Sequence, residues 1–162
     1  MTLSLTASKA QQLSLRSAST ADIAALAALE AAYYETEGYP EALFFQALHQ
    51  WPQLLQVAVS EQEVVGYCLG APGGEPHSLW LMSLLVSAKQ RGKGIGVKLL
   101  KHWLAIAEQL GYQTIQLSVA PENHAAIELY RQNGFVEQGL QQDYLGAGQH
   151  RLLMTRQTLT CC

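Results

Sequence analysis

Three glycines stand at every second position in one short segment of this chain, Arg91-Gly92-Lys93-Gly94-Ile95-Gly96. The segment lies between a predicted strand that ends at Val86 and a predicted helix that begins near Ile95. Glycines at these positions let the backbone turn tightly and approach a ligand closely. The free N–H groups of the first helical turn, together with the helix dipole, favour an anion such as phosphate or pyrophosphate. The glycines alone leave a tight turn without a ligand as the alternative.

Two common nucleotide-binding motifs do not fit this segment. A nucleoside-triphosphatase loop ends in Gly-Lys-Ser or Gly-Lys-Thr, whereas Gly96 is followed by Val97 and Lys98. A dinucleotide fingerprint that begins at Gly92 requires a further glycine at the position of Val97. The segment therefore predicts an anion site that lacks the features of either motif.

A second group of chemically interesting residues opens the last predicted helix, at positions 122–132. Asn123 is a suitable helix N-cap. Ala126 and Tyr130 follow one and two turns later on roughly the same helix face. A tyrosine in such a position is typical of a core residue whose hydroxyl reaches water. This pattern by itself therefore does not predict catalysis.

Hydrophobic periodicity and the breaks at glycine and proline predict the elements that position both groups. Strands are predicted at residues 13–16, 54–60, 63–70, 78–86, 114–119, 135–141 and 150–157. Helices are predicted from Ser19 or Thr20 to Tyr34, and at 41–50, 95–110 and 122–132. The order β-α-α-β-β-β-α-β-α-β-β predicts an α/β chain with a mixed sheet and helices on both faces, rather than a Rossmann alternation.

Composition and charge limit the function classes. The 162 residues, 49% of them hydrophobic, fit one domain, predicted at 13–158 after a flexible lead-in at 1–12. A net charge of −3 without a basic cluster argues against nucleic-acid binding and suits a cationic acceptor such as an amine. No apolar run reaches the roughly 18 residues of a membrane helix, and no signal-peptide pattern is present. We therefore expect no membrane partner and a cytoplasmic location.

The three cysteines do not form a recognisable site. Cys68 lies in an apolar strand and is predicted to be a small buried hydrophobic residue, while Cys161 and Cys162 end the sequence. This spacing matches neither a zinc site nor a disulfide framework. No metal site is predicted.

Together, the segments at 84–86, 91–97, 123–130 and 134–135 resemble the GCN5-related N-acetyltransferase (GNAT) superfamily. The phosphate-turn pattern of that family, Arg/Gln-x-x-Gly-x-Gly, is met by Arg91, Gly94 and Gly96. The resemblance implies the GNAT fold, with a mixed, mostly antiparallel sheet of about six to seven strands. It also implies transfer of an acetyl group from acetyl-CoA to a primary amine of a small molecule, peptide or protein, by direct attack in a ternary complex.

The resemblance implies roles for individual residues. The backbone of the central strand would bind the pantetheine arm and polarise the thioester carbonyl, and the glycine-rich amides would bind the pyrophosphate. Tyr130 would act as general acid toward the departing thiolate, since a phenol with an ordinary pKa near 10 stays protonated at neutral pH. The implied cofactor-binding residues are Leu84, Leu85, Val86, Arg91, Gly92, Lys93, Gly94, Ile95, Gly96, Val97, Asn123, Ala126 and Tyr130.

The acceptor side of the predicted site departs from familiar branches of the family. One branch carries a glutamate where this chain has Ser118, and another carries paired histidines where it has Trp80 and Met82. Neither base can be carried over, and ordered water without a single base is an alternative. The expected acceptor-side residues are Tyr33, Glu37, His77, Trp80 and Ser118. Further candidates are Glu35 and Glu75 as bases, with Tyr34, Tyr39, Asp143, Tyr144, Gly146 and Gly148 around the acceptor.

Two other interpretations stay open at this point. The chain is a non-catalytic module that binds or senses acyl-CoA, or it is an acyltransferase that uses a longer acyl-CoA. The acceptor is not readable from the sequence. Because family members are often dimers, a homodimer is one expectation.

Overall fold

The computed structural model describes residues 12–158 and has the predicted order of elements. The strands are β1 (Leu13–Ser17), β2 (Leu55–Ser60), β3 (Glu63–Pro72), β4 (Ser78–Val86), β5 (Thr114–Val119), β6 (Val136–Gln141) and β7 (Arg151–Gln157). The helices are α1 (Ile23–Tyr34), α2 (Glu41–Gln50), α3 (Ile95–Gln109) and α4 (His124–Gln132). Almost all of the predicted lead-in, together with Cys161 and Cys162, lies outside the described residues.

The seven strands form one sheet in the order β1-β2-β3-β4-β5-β7-β6. Within the described residues, β4 and β5 are the one parallel pair, and every other neighbouring pair is antiparallel. The prediction of a mixed, mostly antiparallel sheet with about six to seven strands is confirmed. β4 lies at the centre of the sheet, as its apolar sequence predicts.

The helices cover the sheet from both faces and form two hydrophobic clusters. On one face α3 buries its apolar stripe, which includes Leu99, Trp103 and Ala107, and the Trp103 indole donates to the Leu54 carbonyl at 2.9 Å. On the other face α1 and α2 pack against a cluster that includes Tyr67. Successive strand residues point to opposite faces, so β2 and β3 contribute to both clusters.

Several element ends differ from the prediction by one or two residues, and two of the differences have a clear structural cause. β3 continues to Pro72, two residues beyond the predicted end, because Pro72 pairs with Leu79 at the start of β4. The first helix begins with a short 3₁₀ turn, and its N-cap Ser19 donates its backbone N–H to the Asp22 carboxylate at 2.7 Å. Asp22 is buried and also accepts two hydrogen bonds from Arg16.

No helix among residues 12–158 is long and apolar enough to span a bilayer. Within the same range, no group of three or more histidine, cysteine, aspartate or glutamate side chains is placed to hold a metal ion. Cys68 is fully buried in the α3 cluster and unpaired, where it packs as a small hydrophobic residue.

Candidate active site

A cleft opens where the two parallel strands at the centre of the sheet separate. β4 and β5 pair only at the start of each strand, and the last pair joins Trp80 to Gln116. Beyond this point, residues 81–86 of β4 have no strand neighbour on the β5 side. The resulting cavity has a volume of about 690 Å³. The unpaired strand edge offers backbone donors and acceptors to an extended ligand.

A β-bulge bends β4 at the inner end of this cleft. The register of β3 against β4 shifts between Leu69, which pairs with Ser83, and Gly70, which pairs with Leu81. Met82 is therefore an extra residue on β4. A bulge locally disrupts the ladder and increases the strand's bend and twist, which helps β4 to diverge from β5 at the cleft.

The glycine-rich turn adopts a conformation that favours glycine. Gly92 and Gly94 have φ angles of +79° and +75°, and a Cβ at either position would meet no atom within 4 Å beyond its own chain neighbours. Gly94 is the N-cap of α3, and the first intrahelical bond runs from the Lys98 N–H to its carbonyl at 3.1 Å. The N–H groups of residues 95–97 therefore have no acceptor inside the helix. Open space thus adjoins a natural anion site.

Residues 95–97 line a second cavity of about 360 Å³. The two cavities share four lining residues, Val86, Arg91, Ala125 and Ala126. They therefore adjoin, and an extended ligand can run from the first turn of α3 along the free edge of β4.

Arg91 connects this turn to the end of α1. Its Nε donates to the Val86 carbonyl at 3.3 Å, and its guanidinium lies 5.0 Å from the centre of the Tyr33 ring, a cation–π contact. Arg91 thus lies at the border of both cavities. Lys93 lines neither of them, and its ammonium donates to Gln90 at 3.0 Å.

Tyr130 lines the larger cavity from α4 and is only 7% exposed. Its ring packs edge to face on Phe135 with centroids 5.7 Å apart. Burial raises the pKa of Tyr130 above the usual range, Cys68 and Tyr34 raise it further, and Arg151 opposes the shift. Among residues 12–158, no group hydrogen-bonds to the Tyr130 hydroxyl. The phenol is therefore protonated at neutral pH and free to donate into the cleft.

The start of α4 forms the wall opposite β4. The Asn123 side-chain carbonyl accepts from the Ala126 N–H at 3.2 Å and caps the helix. This capping bond leaves the Asn123 amide N–H₂ available to a ligand. Ala126 and Tyr130 lie on the same helix face and both line the larger cavity.

The remaining part of the cleft holds a second arginine. Arg151, the first residue of β7, donates from Nη2 to the Ser118 carbonyl at 3.0 Å and from Nε to the Ser118 hydroxyl at 3.3 Å. Tyr33 and Tyr34 are at the end of α1, and all four residues line the larger cavity.

The family model of the acetyltransferase (GNAT) family matches residues 21–135, which is more than half of the chain. This chain is a member of the GNAT acetyltransferase family. Among similar curated proteins, an uncharacterised N-acetyltransferase of Methanocaldococcus jannaschii is 31% identical over 147 residues, 88% of this chain and 90% of the relative. An N-alpha-acetyltransferase of Sulfolobus acidocaldarius is 29% identical over 135 residues, 73% of this chain and 77% of the relative.

Solved structures share the fold of this GNAT protein. A chain of the NatC complex bound to Gag peptide and CoA has a TM-score of 0.81 at 20% identity, covering 91% of this chain and 99% of that chain. The Salmonella typhimurium protein YncA, with its cofactor acetyl-CoA, has a TM-score of 0.79 at 20% identity, covering 93% and 96%. The GNAT fold and the identification as an acyltransferase are confirmed.

The structure of this GNAT protein brings most of the predicted residues together. The two cavities are lined by the end of β4, by the glycine-rich turn except for Lys93, and by Asn123, Ala126 and Tyr130 of α4. On the acceptor side, Tyr33, Tyr34 and Ser118 line the larger cavity.

Three residues expected on the acceptor side, Glu37, His77 and Trp80, lie outside the lining of both cavities. His77 lies just before β4 and Trp80 lies near its start, where the strand is still paired with β5 and the cleft has not opened. Glu37 is exposed in the turn after α1 and donates its backbone N–H to the Tyr34 carbonyl. The other candidates outside the lining are Glu35, Tyr39, Glu75, Asp143, Tyr144, Gly146 and Gly148.

Sequence reasoning assigned no role to Glu30, a carboxylate that is only 1% exposed. It accepts hydrogen bonds from the Tyr39 N–H at 3.0 Å, from the Tyr67 hydroxyl and from the Ser83 hydroxyl at 3.4 Å. Ser83 lines the larger cavity, so this network supports the floor of the acceptor side. A signal was present in the sequence, since Glu30 falls on the buried stripe of α1 with Leu26.

Proposed function

We propose that this GNAT protein transfers the acetyl group of acetyl-CoA to a primary amine, with Tyr130 as the general acid. One observation carries the proposal. The anion site at the start of α3, the free edge of β4 and the Tyr130 hydroxyl border two adjoining cavities. The fold neighbours described above with CoA or acetyl-CoA support the choice of donor.

The residues present fit a nucleotide-tailed thioester. The amides of residues 95–97 would bind the pyrophosphate, with Arg91 beside them as a positive charge. The pantetheine arm would extend along residues 84–86 as an added strand does, with the Asn123 amide on the opposite wall. This placement directs the thioester toward Tyr130 in the larger cavity.

The reaction needs an amine that has lost its extra proton, because an ammonium has no lone pair. The neutral amine nitrogen attacks the thioester carbonyl, and a C–N bond forms as the C–S bond breaks. Tyr130 gives its proton to the departing thiolate. The proton that the attacking nitrogen releases returns to the tyrosinate through water, so that the products are the amide and free CoA.

The acceptor class that we propose is the α-amine of a peptide or an amino acid. The Sulfolobus relative, named an N-alpha-acetyltransferase, supports an α-amine, and the peptide bound in the NatC fold neighbour is consistent with a peptide acceptor. The acceptor would enter beside Tyr34 and Ser118, which line only the larger cavity, because the glycine-rich turn borders the smaller one.

The test is thiol release from acetyl-CoA with a panel of amino acids, peptides and simple amines. Tyr130→Phe should lower kcat by about a hundredfold, as expected for a general acid, and leave the affinity for CoA within about twofold. Tyr112→Phe is the matched control, because Tyr112 packs against the same hydrophobic cluster and lines neither cavity of the cleft. Stabilisation by CoA without thiol release from any amine would indicate a binding module and contradict the proposal.

A further inference from the structure

Two arginines of the cleft form no ion pair with any carboxylate of the described residues. Of the five arginines among residues 12–158, three form ion pairs with carboxylates and two do not. The two without a carboxylate within 4.0 Å, Arg91 and Arg151, both line the larger cavity. Glu122 is the one acidic residue in that lining, and it is exposed at the entrance to α4.

The proposed function accounts for Arg91 and leaves Arg151 unexplained. Arg91 borders both cavities beside the phosphate turn, whereas Arg151 belongs to β7 and borders only the larger one. Arg151 therefore lies on the acceptor side, where the pyrophosphate is not expected to reach.

Ser118 holds the Arg151 guanidinium in place through two hydrogen bonds, from Nη2 and Nε. A guanidinium has five N–H donors in a planar fork. Among residues 12–158, Nη1 has no hydrogen-bond partner. A positioned guanidinium with free donors is suited to a carboxylate.

The neighbours of Arg151 reinforce an anion site. Burial raises the pKa values of the Tyr34, Tyr39 and Tyr130 hydroxyls, and the positive charge of Arg151 only partly opposes this rise. All three phenols are therefore protonated at neutral pH. Tyr34 and Tyr130 line the same cavity, so neutral hydroxyl donors lie close to the unpaired cation.

We propose that Arg151 binds a carboxylate of the acceptor, so that the preferred acceptor is an amine with an anionic group close to the reacting nitrogen. This inference rests on the proposed acetyltransferase function. Two sources supply that chemistry: the α-carboxylate of a free amino acid, and an acidic side chain at the N-terminus of a peptide. The net charge of −3 gives the whole protein no attraction for such an acceptor, so the selectivity is local to Arg151.

The test compares acceptors that differ only in the carboxylate. Methionine is compared with methioninamide, and peptides that begin with Asp or Glu with peptides that begin with Asn or Gln. We expect the carboxylate member of at least one pair to have the higher kcat/KM, which identifies the source. For that member, Arg151→Gln should lower kcat/KM by about ten- to a hundredfold, mainly through KM, because a charged hydrogen bond is lost.

Matched variants separate this inference from the proposed function. Arg151→Lys should recover part of the loss, because it keeps the charge without the fork. Arg131→Gln is the control, since Arg131 is exposed and outside both cavities. An equal loss for carboxylate and neutral acceptors would overturn the inference, as would acetylation without any carboxylate preference in the wild type. Absence of acetylation with every amine, despite stabilisation by CoA, would instead reject the proposed function.

Discussion

The cleft has two halves that are built in different ways. The cofactor half consists of main-chain groups from one stretch of sequence, residues 84–97, together with the start of α4. The acceptor half consists of side chains from distant parts of the chain, with Ser83, Ser118 and Arg151 on three different elements. Glu30, on a fourth element, accepts a hydrogen bond from Ser83 behind the cavity lining. Glycines and helix starts form local sequence patterns, so the cofactor half can be predicted from the sequence. A site made of distant side chains depends on how the strands align.

The first way to test this contrast is to disable the main-chain half. Gly94→Glu should weaken CoA binding by more than about a hundredfold, because a side chain there is strained, enters the open space and adds a negative charge beside the anion site. Gly94 has a φ of +75° and Gly111, at the far end of α3, a φ of +87°, both with open space around them. Gly111→Glu is therefore the matched control, and calorimetric titration of CoA into Gly94→Glu and Gly111→Glu is the measurement. Equal affinities would show that α3 does not bind the phosphates.

The second test disturbs the side-chain half. Glu30→Ala should lower the free energy of unfolding by about 2–4 kcal/mol, because the Tyr67 hydroxyl and the Tyr39 N–H lose a buried acceptor. Glu30→Gln should lower the free energy of unfolding by about 1 kcal/mol, since an amide oxygen still accepts these hydrogen bonds. The control is Glu37→Ala, an exposed position. Urea unfolding measures the stabilities, and a Glu30→Ala protein as stable as this control would contradict a structural network around Glu30.

The smallest effect is expected outside both halves, at Asp22. Hydrogen bonds from Arg16 hold the pKa of the Asp22 carboxyl below its usual range, with Ser19 contributing. A lowered folded-state pKa gives stability that is present above the unfolded pKa of about 3.9 and lost as pH falls through the folded value. Asp22→Asn should therefore cost about 1–2 kcal/mol at pH 7, and this difference should shrink at a pH well below the unfolded value. Urea unfolding at both pH values checks it, and a difference independent of pH would rule out this ion pair as the cause.

Much of the fold could be predicted from the sequence, because local signals agree with the tertiary structure. The stripe of Leu99 and Trp103 on α3, the glycine that ends this helix at Gly111, and the apolar central strand each indicated their element. The β-bulge at Met82 and the extension of β3 to Pro72 could not be predicted, since both depend on the pairing of β3 with β4.

The acceptor half illustrates the same limit at the site. Arg151 meets Ser118 because β5 pairs with β7 in the register that joins Val119 to Leu152. A shift of one residue would send the Arg151 side chain to the other face of the sheet, and nothing local in the sequence fixes this register. His77 just before the central strand and Trp80 within it were expected on the acceptor side, yet the cleft opens only after Trp80.

Hydrogen exchange with and without acetyl-CoA tests the central claim most directly. If the cofactor lies along the free edge of β4 and on the first turn of α3, amide protection should rise in peptides that cover residues 84–97 and 123–126. Peptides that cover residues 143–151 should exchange as before. Unchanged exchange at 92–97 under saturating acetyl-CoA, or protection confined to another part of the chain, would contradict this placement of the cofactor.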